Sequence, residues 1–128
     1  MKISILLPYK ENFSPIYPGA VSLFVNETSN LSKYKKDITV YGNTDYKRKF
    51  KIRYKNIILR KNIFESQSRK YVQEFIKIEK DNKSDLIEIH NRPNYLKFLI
   101  DNIDKRTYAL YFHNDPLTMT GSKSIEDR

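Results

Sequence analysis

The chain contains two histidines, His90 and His113, and they sit in matched settings. Each follows a largely apolar run, residues 86–89 in one case and 108–112 in the other, and each is followed at once by asparagine. An imidazole titrates near neutral pH and can take, give or orient a proton. In "HNRP" it is joined by the amide of Asn91 and by the forked guanidinium of Arg92, which suits an anionic ligand. In "FHNDP" it is joined by Asn114 and Asp115 ahead of a proline-containing loop, the kind of segment that carries function more often than packing. The plainer alternatives are a hydrogen-bonded structural imidazole for His90, a surface ion pair for Arg92 and a turn cap for Asp115.

For these residues to act together, chain elements must end at each of them on the same side. Residues 3–7 form a continuous apolar run, as expected of a strand covered on both faces. A loop over 8–19, containing proline and glycine, leads to a predicted helix from Ala20 to about Tyr34 with Val21, Phe24, Val25 and Leu31 on one face. "DITVYG" predicts a strand over 38–41. The stretch "YKRKFKIRYKNIILRK" alternates basic residues with Phe50, Ile52 and Tyr54, which predicts an exposed extended segment, and 57–59 predict a short third strand. Ser66 is the expected cap of a helix running to Asp81, with Tyr71, Val72, Phe75, Ile76 and Ile78 as its apolar stripe. Residues 86–89 predict a strand, "PNYLKFLIDNI" a helix with Pro93 in its first turn, and 108–112 the last strand.

Strands alternating with helices predict an α/β fold: a three-layer α/β/α, Rossmann-like sandwich with a mainly parallel sheet, in a single domain over 1–128. Open parallel sheets bind ligands beyond the carboxyl ends of their strands. His90, His113 and the loop carrying Tyr17, Pro18 and Gly19 are all expected at that edge.

Composition narrows the chemistry. No cysteine is present, which excludes thiolate chemistry and disulfides, and two histidines fall short of a multi-ligand zinc site. The three glycines form neither G-x-G-x-x-G nor G-x-x-x-x-G-K-[ST], so a free-standing dinucleotide or nucleoside-triphosphate domain is not expected. In "LLPYKENFSP" the only acid is Glu11, too few for a receiver-type acidic cluster. The apolar run at the start ends at Pro8 and is too short for a signal peptide or membrane span, so a cytoplasmic protein is expected. The formal charge is +9, and "KRKFKIRYKNIILRK" over 47–61 contains no acid. Attraction to an anionic membrane surface or substrate would follow, although AT-rich coding alone could supply many of the lysines.

Taken in order, "KISILLP", "YPGAV", "DLIEIHNRPNYL" and "LYFHNDPLTMTGSKSIEDR" resemble the N-terminal domain of GT-B fold, family 4 glycosyltransferases. The resemblance spans essentially the whole chain and is least distinctive over 43–63. It implies that a nucleotide-sugar donor and a glycan or lipid-linked acceptor meet in a cleft between two Rossmann-like domains, with no metal or other cofactor required. The N-terminal domain would mainly hold the acceptor. A donor domain with an E-x7-E type motif would do the rest, and it is absent from these 128 residues. By position, Gly19 falls in the loop near the donor phosphates and His90, Asn91 and Arg92 on the acceptor-side wall. His113 matches the histidine beside the reacting sugar, making it the expected catalytic residue, with Tyr17, Asn114 and Asp115 as further substrate-binding candidates. Many relatives carry two glycines in the first loop, whereas here Gly19 follows Pro18.

The resemblance further implies a role in cell-envelope glycan synthesis, with peripheral contact at the inner face of the membrane and no activity from the isolated domain. The tail over 114–128 is expected to be loosely held or bound by a neighbouring chain, and a homo-oligomer is compatible with these features. Nucleic acid is not the expected partner. The alternative is a basic α/β module that binds nucleic acid or another anionic surface through 47–61.

Overall fold

Strand periodicity sorts the central apolar residues onto two faces. In β1 (Ile3–Leu6), Ile3 and Ile5, continued by Leu7, face one way, while Ser4 and Leu6 face the other. β2 (Ile38–Gly42) repeats the pattern, with Ile38 and Val40 beside the first set and Tyr41 beside Leu6. A computed structural model, describing residues 1–60, 64–103 and 105–127, completes the sheet with β3 (Tyr54–Asn56), β4 (Leu86–His90) and β5 (Thr107–Tyr111). The order is β3-β2-β1-β4-β5 and every pairing is parallel.

Helix α1 (Ala20–Leu31) covers one face through Val21 and Val25. Helices α2 (Gln67–Asn82) and α3 (Pro93–Asn102) cover the other through Tyr71, Val72, Phe75, Ile76, Tyr95 and Leu99. The protein is therefore the expected three-layer, Rossmann-like α/β sandwich. Among the described residues, no helix is long and apolar enough to cross a membrane.

Several elements differ from the sequence-based expectation. The third strand is Tyr54–Asn56, not 57–59, because Ile57 turns into the α2 and α3 core while Ile58 is 82% exposed. The segment before it is less exposed than expected. Phe50 and Ile52 pack with Phe13 and Val40 on the α1 face, so the crossover from β2 to β3 is an apolar-anchored loop rather than a free strand. Lys61, at the end of the basic stretch, lies outside the described residues.

α1 ends at Leu31, before a 3-10 turn at Lys35–Asp37, and Leu31 itself points to solvent. The face it presents to the sheet is Val21, Ser22, Val25 and Ser29. Ser66 caps α2 as expected, its hydroxyl accepting from the Arg69 N–H at 3.2 Å. The tail after β5 is anchored rather than loose. Through Asp127 it forms a turn at Pro116–Thr118, buries Ser122, and brings Gly121 against the backbone of Asn94 at the start of α3. Gly121 has φ +92°, a conformation that favours glycine.

Tyrosine hydroxyls tie the helices to the strand ends beneath the carboxyl edge. The Tyr71 hydroxyl donates to the Leu7 carbonyl at 2.7 Å, and the Tyr95 hydroxyl accepts from the Tyr9 N–H at 3.1 Å. Burial raises the Tyr71 pKa far above its usual value, so this donor keeps its proton.

Candidate active site at the carboxyl edge of the sheet

β4 and β5 pair in register from Leu86↔Thr107 to His90↔Tyr111, which brings the two His-Asn pairs side by side just past the strand ends. His90 Nδ1 lies 2.9 Å from His113 Nε2. The asparagines meet as well: the Asn91 amide nitrogen donates to Asn114 Oδ1 at 2.6 Å, and Asn91 Oδ1 accepts the His113 backbone N–H at 3.0 Å. The repeated dipeptide is thus a double clamp across adjacent strands. The Asn91 N–H also donates to the Tyr111 carbonyl at 2.7 Å, extending the ladder by one step.

Asn91 adopts φ 58°, the left-handed region in which asparagine is tolerated better than most residues. Two variants separate its backbone role from its side-chain role. Asn91→Gly loses the two side-chain bonds and should cost about 1–3 kcal/mol. Asn91→Ala adds left-handed strain of about 1–2 kcal/mol. Urea denaturation should therefore rank alanine below glycine, and equal stabilities would show that the turn relaxes when the amide is removed.

Behind the pair stands a residue that the sequence reading passed over. Glu88 Oε1 is 2.6 Å from His90 Nε2, and the His90 side chain is fully buried. An ionised carboxylate only accepts hydrogen bonds, so His90 carries its proton on Nε2. The Nδ1 of a neutral His90 must then accept from His113 Nε2–H, which leaves the His113 Nδ1 lone pair free. Burial first, and then the neighbouring His90, holds the His113 imidazole below its usual pKa, while the Glu11 carboxylate opposes them. His113 is consequently neutral at pH 7. Its contribution to stability is complete above the ordinary histidine value of about 6.5 and is lost as pH falls through the lower folded value.

Rings enclose the histidines. Tyr111 stacks on His90 with centroids 4.9 Å apart and planes 8° from parallel, and the edge of Phe24 meets His113 at 4.9 Å. Phe24, expected in the core stripe of α1, instead covers this cluster and remains partly exposed. It brings the first turns of α1, and with them Gly19, to the same edge.

Gly19 is the N-cap of α1 with an ordinary extended φ of −71°. A side chain there would collide with the carboxylate of Glu11, which accepts the Ser22 N–H at 3.0 Å and so neutralises the helix N-terminus from the loop. Tyr17 has φ 49° and is 83% exposed, and its ring takes no part in the histidine cluster. Its carbonyl is held by the side-chain amide of Asn12 at 2.7 Å. Arg92 is half-buried and donates to the Asn91 carbonyl at 2.8 Å. Asp115 caps the turn at Pro116–Thr118, accepting the Leu117 N–H at 2.9 Å.

The structure therefore brings together His90, Asn91, His113 and Asn114, with Arg92 adjoining and Gly19 nearby, while Tyr17 and Asp115 stand apart in loop roles. The Glu88 signal was present in "EIH": residues two apart on a strand share a face. Glu88, His90 and His113 form a line of hydrogen bonds, not a converging shell. Among the described residues, no group of three His, Cys, Asp or Glu side chains could hold a metal ion. The chain matches no protein-family model, no curated protein and no solved structure.

Proposed function

We propose that this chain is the acceptor-side, N-terminal domain of a GT-B, family 4 type glycosyltransferase, with His113 beside the reacting sugar. The observation that carries this reading is the meeting of both His-Asn pairs, with a histidine nitrogen left open, beyond the carboxyl ends of parallel strands. That edge is where open α/β sheets bind ligands, and its order of motifs is the one in which the sequence resembles the family. The acceptor would lie along His90, Asn91, Arg92 and Asn114. A donor phosphate approaching the α1 N-terminus would have to displace Glu11, which already fills the space over Gly19.

Transfer would need the donor domain as well, since one half of a cleft cannot supply the proximity on which catalysis depends. The test is a panel of sugar nucleotides offered with glycan and polyprenyl-phosphate acceptors. Transfer is expected from an enzyme that joins this domain to a donor domain, and none from residues 1–128 alone. Turnover by the isolated domain, or none by the joined enzyme, would overturn the reading.

The basic crossover fits an acceptor carried on an anionic membrane, at the cytoplasmic face. Lys47, Arg48, Lys51, Arg53, Lys55 and Arg60 are exposed, and none of them makes an ion pair among the described residues. Clustered cations contribute about 1 kcal/mol each to binding an anionic bilayer. The chain should co-sediment with vesicles containing phosphatidylglycerol at low salt and not with neutral vesicles, and Lys47, Arg48 and Lys51 changed to Glu should abolish this. Equal affinity for both vesicles would reject the membrane role. Tighter, steeply salt-dependent binding to oligonucleotides would favour the alternative of a nucleic-acid module.

A further inference from the structure

We propose that the free edge of β5 is a self-association surface, on which a second copy of this chain adds its own β5 antiparallel to the first, about a two-fold axis at Ala109. The inference is independent of the acceptor-site reading. It rests on an uncharged open strand edge, on the unequal guarding of the two edges of the sheet, and on charges of opposite sign at the two ends of β5.

One bond fixes which backbone groups face outward. The Tyr111 carbonyl accepts from the Asn91 N–H on the β4 side, and successive residues of a strand turn their backbone groups to opposite edges. Thr107, Ala109 and Tyr111 therefore bond inward to β4. Tyr108 and Leu110 turn their N–H and C=O groups to the open edge, where none of the four has a protein partner among the described residues. Such a row of donors and acceptors is a template for another strand.

Sheets commonly guard an edge with a short strand and with lysines. β3, at the opposite edge, is guarded in that way: it is three residues long, with Lys55 in its middle and Arg53 beside it, both exposed. β5 is five residues long, and positions 107–112 hold neither a charge nor a proline. Apolar surface gathers next to it. Phe112 is 40% exposed and Ile100 of α3 is 56% exposed, and with Leu96 and Leu110 they border a groove along the strand. A strand added at this edge would bond the four backbone groups and cover that groove.

The charges around β5 select its own copy, antiparallel. Residues 104–106 are net basic through Lys105 and Arg106, whereas the chain beyond β5 carries Asp115, and Glu126 and Asp127 share the groove with Phe112. A parallel copy would set like charges together. An antiparallel copy sets the basic end of each strand beside the acidic end of the other, and a two-fold axis closes the pair so that no edge of β5 remains open. Centred on Ala109, the pairing overlaps all five residues and bonds Tyr108 of each copy to Leu110 of the other, joining the two five-stranded sheets into one.

Sedimentation equilibrium of the 128-residue chain should show a reversible rise toward twice the 15.3 kDa of a single chain as concentration increases. Hydrogen exchange locates the contact: the Tyr108 and Leu110 amides should exchange slowly in the dimer and quickly on dilution, while those of Ala109 and Tyr111, bonded to β4, stay slow throughout. Ala109→Lys sets two lysines face to face at the axis and leaves the backbone bonds to β4 in place, so it should weaken association roughly tenfold or more. A single-chain mass at every concentration, a dimer whose Tyr108 and Leu110 amides exchange as fast as in the monomer, or an affinity unchanged in Ala109→Lys would each overturn the proposal. Should Ala109→Lys fail to fold, the wild-type exchange pattern decides alone. None of these measurements involves a sugar, so the dimer can fail while the acceptor-site reading stands, and the reverse.

Discussion

Changing His113 to alanine, in a transferase that carries this domain, is expected to cut turnover about 10²- to 10⁴-fold, equivalent to about 3–5 kcal/mol of transition-state stabilisation. The fold should survive. His113 is exposed, and water can take its place beside His90 Nδ1, so the stability cost should be about 1 kcal/mol. Its backbone N–H, which bonds Asn91, is untouched by the substitution. Activity assays and thermal melts on the same preparations separate the two effects. A large loss of stability with the turnover of the remaining folded enzyme unchanged would assign His113 to structure instead.

Glu79→Ala should produce a large stability loss for the truncation of a polar side chain. Glu79 is fully buried at the opposite, amino-terminal end of the sheet. Its carboxylate accepts from the hydroxyls of Ser4 at 2.8 Å and Ser84 at 2.6 Å, from the Ser84 N–H at 3.1 Å and from the Asn82 amide at 3.1 Å. Those bonds tie the end of α2 to β1 and to the turn before β4. Alanine would strand the donors in the interior and open a cavity, for a loss of about 3–5 kcal/mol, or about 10–20 °C in Tm. Glu79→Gln keeps the volume but sets an amide N–H against at least one of these donors, and should cost about 1–3 kcal/mol. A melt shifted by less than a few degrees in Glu79→Ala would mean that the serines find other partners.

What was legible in the sequence followed periodicity. The β1 run, the capped stripe of α2 and the proline-started α3 each carry a repeat that only one kind of element can use, and all three formed as read. Two histidines at the ends of apolar strands placed themselves on one edge through the direction of a parallel sheet. The failures arose where tertiary packing overrode the local pattern. Ile57 and Ile58 have the same propensity, yet one enters the core and the other faces solvent, so the third strand ended before them. Phe50 and Ile52 looked like the alternation of an exposed strand but anchor a crossover loop.

At the site, the largely apolar character of residues 86–89 drew attention away from the face carrying Leu86, Glu88 and His90. Only Ile87 and Ile89 face the core beneath α2 and α3. Glu79 was hidden in the same way, although it continues the stripe of Tyr71, Val72, Phe75 and Ile76 by one more turn. Contacts between loops, such as Glu11 over Gly19 and Asn91 with Asn114, depend on how the strands are paired, and no local pattern encodes them.

The central claim is that the crevice around His113 receives the sugar acceptor, and the most direct measurement is amide and imidazole chemical-shift mapping on the 15N-labelled chain during titration with short glycan and polyprenyl-phosphate-linked acceptors. The account predicts saturable shifts confined to His90, Asn91, Arg92, His113 and Asn114, with the His113 ring among the most affected. Acceptors that leave those residues unmoved at millimolar concentration, or that shift only the basic segment between Lys47 and Arg60, would contradict it.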